Sequence, residues 1–223
     1  MRNLALMWVL AGVAVALLAA GDGKPSVSTF TDKRDGKVYR IVKIGRQVWF
    51  AENLNYTAKG SVCYDNKAEN CAKYGRLYDW ATAMKACPAG FHAPTFAEWD
   101  TLQEFVGDDS FTVGEKLKAT SGWDDWKGKS GNGTDDYGFS ALPGGYSEAG
   151  PYRVFHFAGK SGEWWSATET GGCIDDDPKH CGWDDAKIRI MDSYDGHLSW
   201  SIAYKWEFMS LRCVQDDEKE RRK

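Results

Sequence analysis

Six cysteines, Cys63, Cys71, Cys87, Cys173, Cys181 and Cys213, all follow an uncharged N-terminal run, and this pairing constrains the chain more than any other feature. Arg2 makes a short basic start, Leu4 to Ala20 carries no charge, and Gly21, Asp22, Gly23 and Lys24 then change the composition at once. That is the pattern of a secretory signal over residues 1–21, with small residues at its end for the peptidase. The run lies at the short edge of a membrane-spanning helix, so a retained anchor is the alternative reading. After cleavage no membrane contact is expected, and the mature chain would be secreted, periplasmic or on the cell surface.

An even number of cysteines in an oxidising compartment predicts three disulfides. Cys63/Cys71 and Cys173/Cys181 are both separated by seven residues, within polar stretches that can turn back on themselves, which leaves Cys87 for Cys213. The chain-entropy model gives the long Cys87–Cys213 closure about 4–5 kcal/mol and each short one roughly 2.5 kcal/mol. Zinc is the rival use of these residues, but no C-x-x-C and no Cys/His pair stands at zinc spacing.

Hydrophobic periodicity places the elements. Val38 to Ile44 and Val48 to Phe50 read as a hairpin around Gly45-Arg46. Leu77, Trp80, Ala81 and Met84 fall on one helical face ahead of Pro88. A second helix opens at Thr95, where Thr95 and Glu98 make a capping box, and Trp99, Leu102, Phe105 and Val106 form its inner stripe. A short amphipathic stretch surrounds Leu117. Beyond Gly107 the chain reads as strands, at 154–157, 163–168, 187–191, 198–204 and 208–214, between long Gly/Asp/Ser loops. In the fourth, Leu198, Trp200, Ile202 and Tyr204 make a heavy face. The last residues, 216–223, are a charged, flexible tail. The expectation is one α+β domain over 27–215.

Six segments carry a resemblance: Val48-Trp49-Phe50-Ala51-Glu52-Asn53-Leu54-Asn55-Tyr56, Tyr74-Gly75-Arg76-Leu77-Tyr78-Asp79-Trp80, Cys87-Pro88-Ala89-Gly90-Phe91-His92-Ala93-Pro94-Thr95, Tyr137 to Tyr146, Trp165 to Glu169, and Ser210-Leu211-Arg212-Cys213-Val214. In this order they resemble the Fibrobacter succinogenes major paralogous domain, a family of exported bacterial proteins. The resemblance implies a C-type lectin-like α+β fold, distantly akin to formylglycine-generating enzymes, with two helices packed on antiparallel strands and a bond tying the helical part to the final strand. It implies no known activity. The Glu-Pro-Asn and Gln-Pro-Asp triplets of calcium-dependent sugar-binding lectins are absent.

Composition narrows the function further. With a net charge of -4 and no basic cluster ahead of the tail, a nucleic-acid partner is not expected. The 11 tryptophans point instead to stacking surfaces or a core of aromatic plates. Trp123, Asp124, Asp125 and Trp126, between Gly122 and Gly128, pair rings with carboxylates as a carbohydrate site requires, and Trp183 joins them as a ligand-binding candidate. Trp164 and Trp165 are neighbours in one strand, so they point to opposite faces, one into the core and the other under loops or toward a ligand.

No cofactor is expected other than calcium. Its candidate ligands are Asp175, Asp176, Asp177, Asp184 and Asp185 around the Cys173–Cys181 loop, and Asn132, Asp135 and Asp136 in another. Acidic loops that only solubilise the surface need no metal. His92, His156, His180 and His197 stand apart, so no catalytic set is assembled. The function expected is a non-catalytic, exported module that binds polysaccharide or another extracellular macromolecule. The alternatives are an oxidase of the formylglycine-generating type, which needs free thiols, and a structural envelope protein without a small ligand.

Overall fold

The computed structural model describes residues 27–107, 109–150, 152–171 and 184–217. The expected signal, the Cys173–Cys181 pairing, Asp175, Asp176, Asp177, Trp183 and the end of the tail lie outside them. Along the chain come β1 (Val27–Thr31), β2 (Val38–Ile44), β3 (Gln47–Phe50), β4 (Ser61–Val62), α1 (Ala68–Tyr74), β5 (Leu77–Tyr78), α2 (Trp80–Ala86), β6 (Phe91–His92), α3 (Phe96–Val106), α4 (Ser110–Leu117), β7 (Tyr146–Ser147), β8 (Phe155–His156), β9 (Ser161–Glu169), β10 (Asp185–Asp192), β11 (Ser199–Tyr204), β12 (Met209–Ser210) and β13 (Val214–Gln215).

They form a mixed helix and sheet architecture. One sheet runs in the order β1-β2-β3-β13-β6 and another in the order β11-β10-β9-β12-β5-β4, with β7 and β8 paired apart. The expected 208–214 strand is therefore two pieces in two sheets, β12 beside β9 and β13 beside β3. The chain crosses between the sheets through Leu211, Arg212 and Cys213. This crossing carries the Cys87–Cys213 bond, with Cα atoms 5.8 Å apart, while Cys63–Cys71 closes the short loop before and within α1.

The β2–β3 hairpin turns at Gly45, whose φ of +58° suits a residue without a side chain. Phe105 was expected in the inner stripe of α3 but is largely exposed, because its ring lies over Gly45, where a Cβ would come within 2.8 Å of it. Trp99, Leu102 and Val106 are buried as the stripe requires. The capping box is formed: the Thr95 hydroxyl accepts from Glu98 N at 3.2 Å, and Glu98 accepts from Thr95 N at 2.8 Å.

The helix expected from Leu77 onward begins later. Leu77 and Tyr78 pair with β4 and β12, and Asp79 caps α2 by accepting from Thr82 N at 2.8 Å. Its inner face is then Ala83 and Ala86, with Ala81 outside. The heavy face of β11 is also displaced. β11 is an edge strand, so Leu198 just before it is buried while Trp200 stays 57% exposed. Neither β1 nor α1 stands out in the sequence, because one is mostly exposed and the other is short and polar.

Two hydrophobic clusters lie on the two sides of these strands. Trp49 and Trp164 enter the first, with Trp99 and Phe139; Phe50 and Trp165 enter the second, with Tyr78 and Leu211. Both Trp164 and Trp165 are thus core, so of the two alternatives left for the second ring the one that turns it toward a ligand falls away. Alternation along β3 and β9 sends neighbouring rings to opposite faces, and each face is covered.

Candidate functional site

Four of the six segments meet at one buried place. Asn53 Oδ1 accepts from Trp164 Nε1 at 2.8 Å and from Arg212 Nε at 2.9 Å, and its amide donates to Tyr74 O at 2.8 Å and Ser210 Oγ at 3.3 Å. Arg212 also donates to the carbonyls of Phe50 at 3.2 Å, of Ser140 at 2.9 Å and of Phe139, over whose ring its guanidinium lies at 4.4 Å. Burial pushes the guanidinium down to about 9, against the pull of Asp135 and Glu52. Gly75 belongs to the same node, because a Cβ there would fall 2.7 Å from Asn53 Cβ. The side chains of Asn53, Trp164, Ser210 and Arg212 are buried, so at this node the segments serve the architecture.

His92 has a comparable role nearer the surface. Its Nδ1 lies 2.7 Å from Asp216 and its Nε2 2.9 Å from Glu98, so it ties α3 to the end of β13. The Glu98 bond raises it to about 9, Asp216 adding to this and burial opposing. A histidine whose pKa rises on folding adds stability that is complete below about 6.5 and disappears as pH climbs through about 9. Over that interval urea unfolding of the native chain should lose about 1–2 kcal/mol, after discounting for partial exposure, and a His92→Gln variant should lose much less. Equal pH slopes for the two would rule this clamp out.

The open site lies at the loop that follows α4. Trp126 N donates to Lys129 O at 2.8 Å and Lys129 N returns a bond at 3.0 Å, around Lys127 and Gly128, both at positive φ. This tight turn fixes Trp126 outward, 45% exposed. The ring faces Tyr194, whose centroid is 6.0 Å away and which lies in the loop between β10 and β11. Tyr194 is 56% exposed and its hydroxyl donates a hydrogen bond to Asp192 at 2.9 Å. The two rings wall a groove of about 430 Å³ that also presents Glu115, Lys129, Ser130, Asn132 and Asp195. Beneath it Lys118 is buried and donates to the carbonyls of Asp192 at 3.0 Å and Asp195 at 2.7 Å.

The other members of the predicted loop have different tasks. Trp123, expected to offer its face to a sugar, is only 4% exposed; its indole donates to Ala141 O at 2.9 Å and its backbone N to Asn132 Oδ1 at 3.0 Å. Asp124 pins the loop through its N–H to Gly159 O at 2.7 Å, and its carboxylate lies where a Gly159 side chain would be. Asp125 is exposed beside Trp126. Sequence reasoning missed Tyr194, although the Asp195-Gly196 step between two strand signals marks the hairpin loop that carries it.

The expected calcium ligands do not converge among the described residues, where no group of three or more His, Cys, Asp or Glu side chains is placed to hold a metal. Asn132 Oδ1 is engaged by Trp123, and both oxygens of Asp135 are taken, by Ser140 N at 2.7 Å and Ser140 Oγ at 2.6 Å; Asp136 is exposed. Asp184 and Asp185 are parted by strand alternation: Asp184 is outside, paired to Lys205 at 2.6 Å, and Asp185 is buried, accepting from Thr170. Both disulfides among the described residues hold their cysteines, so none of those four is a free thiol.

A further cavity of about 460 Å³ is lined by Arg46, Gln47, Glu98 and Asp216 among others and has no aromatic wall. It lacks the stacking surface that the Trp126 groove offers. Among the described residues no helix is long and apolar enough to cross a membrane.

No curated protein and no solved structure matches the chain. The model of the Fibrobacter succinogenes major domain matches residues 42–215, which takes in the Asn53–Arg212 node, the Trp126 groove and both observed disulfides, so the chain belongs to the Fibrobacter succinogenes major domain family.

Proposed function

We propose that this protein is an exported, non-catalytic module that binds polysaccharide in the Trp126–Tyr194 groove, on a C-type lectin-like scaffold. The observation that carries this reading is the pairing of two exposed rings, fixed by a tight turn and a hydroxyl–carboxylate bond, with carboxylates and amide groups around the cavity they wall. Rings of this kind cover the apolar faces of sugars, and the polar rim meets their hydroxyls. The disulfides support export. For the scaffold, the support is that β3, early in the chain, pairs with β13 at its end, closing a base from which the long loops project.

Retention on insoluble cellulose, xylan, chitin and de-esterified pectin tests the reading. The native chain should be held by at least one, and Trp126→Ala should weaken that binding about tenfold, as loss of a central aromatic does. Retention should survive EDTA, because Asp135 and Asn132 already spend their oxygens on the loop; a loss in EDTA would restore calcium to the site. An intact fold held by none of the four would leave a structural envelope role in place of binding.

A further inference from the structure

A second aromatic cavity adjoins the first. It measures about 420 Å³, and its walls include Phe96, Trp200, Arg189, Ser110 and His197. The two share a partition. Gly196 borders the first cavity and His197 the second, and on α4 Glu115 borders the first and Ser110 the second. Five helical residues advance about 7.5 Å, so the cavities stand one or two sugar rings apart. Phe111, on α4 and exposed, meets His197 of the second cavity edge-on at 4.2 Å.

The second cavity differs from the first in its charge. Arg189 is 2% exposed and its guanidinium lies 4.2 Å above the Phe96 ring. Its terminal nitrogens donate to Gln103 at 3.0 Å and to Asp100, but Nε is buried without a partner. Lys187 adds a second cation, 4.6 Å over Phe96 and 5.5 Å over Trp200. Lys187 thus stands outside the lining but over two of its rings, Arg189 is bonded to Asp100 in the wall, and the buried Nε–H of Arg189 is left unmatched there. A buried donor without an acceptor is costly, and a carboxylate is the acceptor that also balances the charge.

Resting on the polysaccharide reading above, we infer that the second cavity is a subsite for an acidic sugar, and that the ligand is a uronate-bearing polysaccharide chain lying across both cavities. Trp200 would stack one face of the acidic ring while Arg189 and Lys187 attract its carboxylate.

Calorimetric titration with hexagalacturonate and with cellohexaose tests this. The native chain should prefer hexagalacturonate by about tenfold, and raised salt should shrink that preference. Trp200→Ala and Lys187→Gln, both at surface positions, should each lose about five- to tenfold for hexagalacturonate and little for cellohexaose. Arg189→Gln should abolish the preference, but it disturbs a buried ion pair and can fail to fold, so the two surface variants decide. Binding that falls with Trp126→Ala yet ignores Trp200, Lys187 and the ligand's carboxylates would overturn the acidic subsite and leave the groove. Failure of the folded native chain to bind either hexamer would overturn both.

Discussion

An Arg212→Met variant should unfold with a free energy about 3–5 kcal/mol below that of the native chain, followed by tryptophan fluorescence in urea. Methionine fills much of the volume but donates nothing, so the carbonyls of Phe50, Phe139 and Ser140 lose their partner in the core, and Asn53 Oδ1 keeps only Trp164. Relief from holding a guanidinium out of water offsets part of this, because no carboxylate bonds to it directly; its acceptors are neutral. Arg212→Lys should recover little, because an ammonium is a point charge and cannot reach acceptors spread around a planar fork. Asn53→Ala should be coupled to Arg212→Met by about 1–3 kcal/mol in a double-mutant cycle, since each removes part of the other's loss. Additive losses would show that the two residues do not act as one node.

The same node explains what could be seen in the sequence. Periodicity finds β2 and α3, because each buries a regular face of its own, and apolar runs mark β3, β9 and β10; β11 alternates in the text although its heavy residues stay exposed or half-buried. Periodicity fails at Leu77 and at 208–214, where the chain contributes only a residue or two to a sheet before leaving it. There the structure is decided by distant partners: Asp79 capping α2, and Arg212 held by carbonyls more than 70 residues away in sequence as well as by Asn53. β1 shows no apolar period because only Phe30 turns toward the core, against Phe50 and Phe91, while the rest of the strand is exposed and pairs with β2.

For the proposed site, the sequence offers Trp123 and Trp126 alike, and the structure turns only Trp126 outward. Both rings are equally apolar in the text; the difference lies in Ala141 O waiting for the indole of Trp123 and in the turn at Lys127-Gly128 that projects Trp126. Tyr194 escapes because its neighbour across the groove is nearly 70 positions away. The second cavity is harder still. Phe96 is the first residue of a helix, Arg189 lies in a strand and Trp200 on an edge, and nothing but the folded chain brings them together.

Removing the Cys87–Cys213 bond should cost far more than removing Cys63–Cys71, and the reason is loop length first. Replacing Cys87 and Cys213 by alanine frees a closure spanning a sequence separation of 126, for which the chain-entropy model gives about 4–5 kcal/mol. Cys63 and Cys71 close a separation of 8, for which it gives roughly 2.5 kcal/mol or less. Position adds to length. Cys213 lies on the segment by which the chain passes from one sheet to the other, with Phe50 N donating to its carbonyl at 2.9 Å, and Arg212 is its neighbour. With the bond gone, that crossing is held by the Arg212 contacts, by the bonds of Phe50 N and Leu54 N to the carbonyls of Cys213 and Leu211, and by the short β12 and β13 pairings. The two substitutions in combination with Arg212→Met should therefore lose more than the sum of the separate losses, enough to leave no cooperative urea transition. Urea midpoints for the two cysteine-pair variants, taken without reductant, give the measure. Equal losses for the long and the short pair would mean that neither loop length nor the sheet crossing governs the stability of this chain.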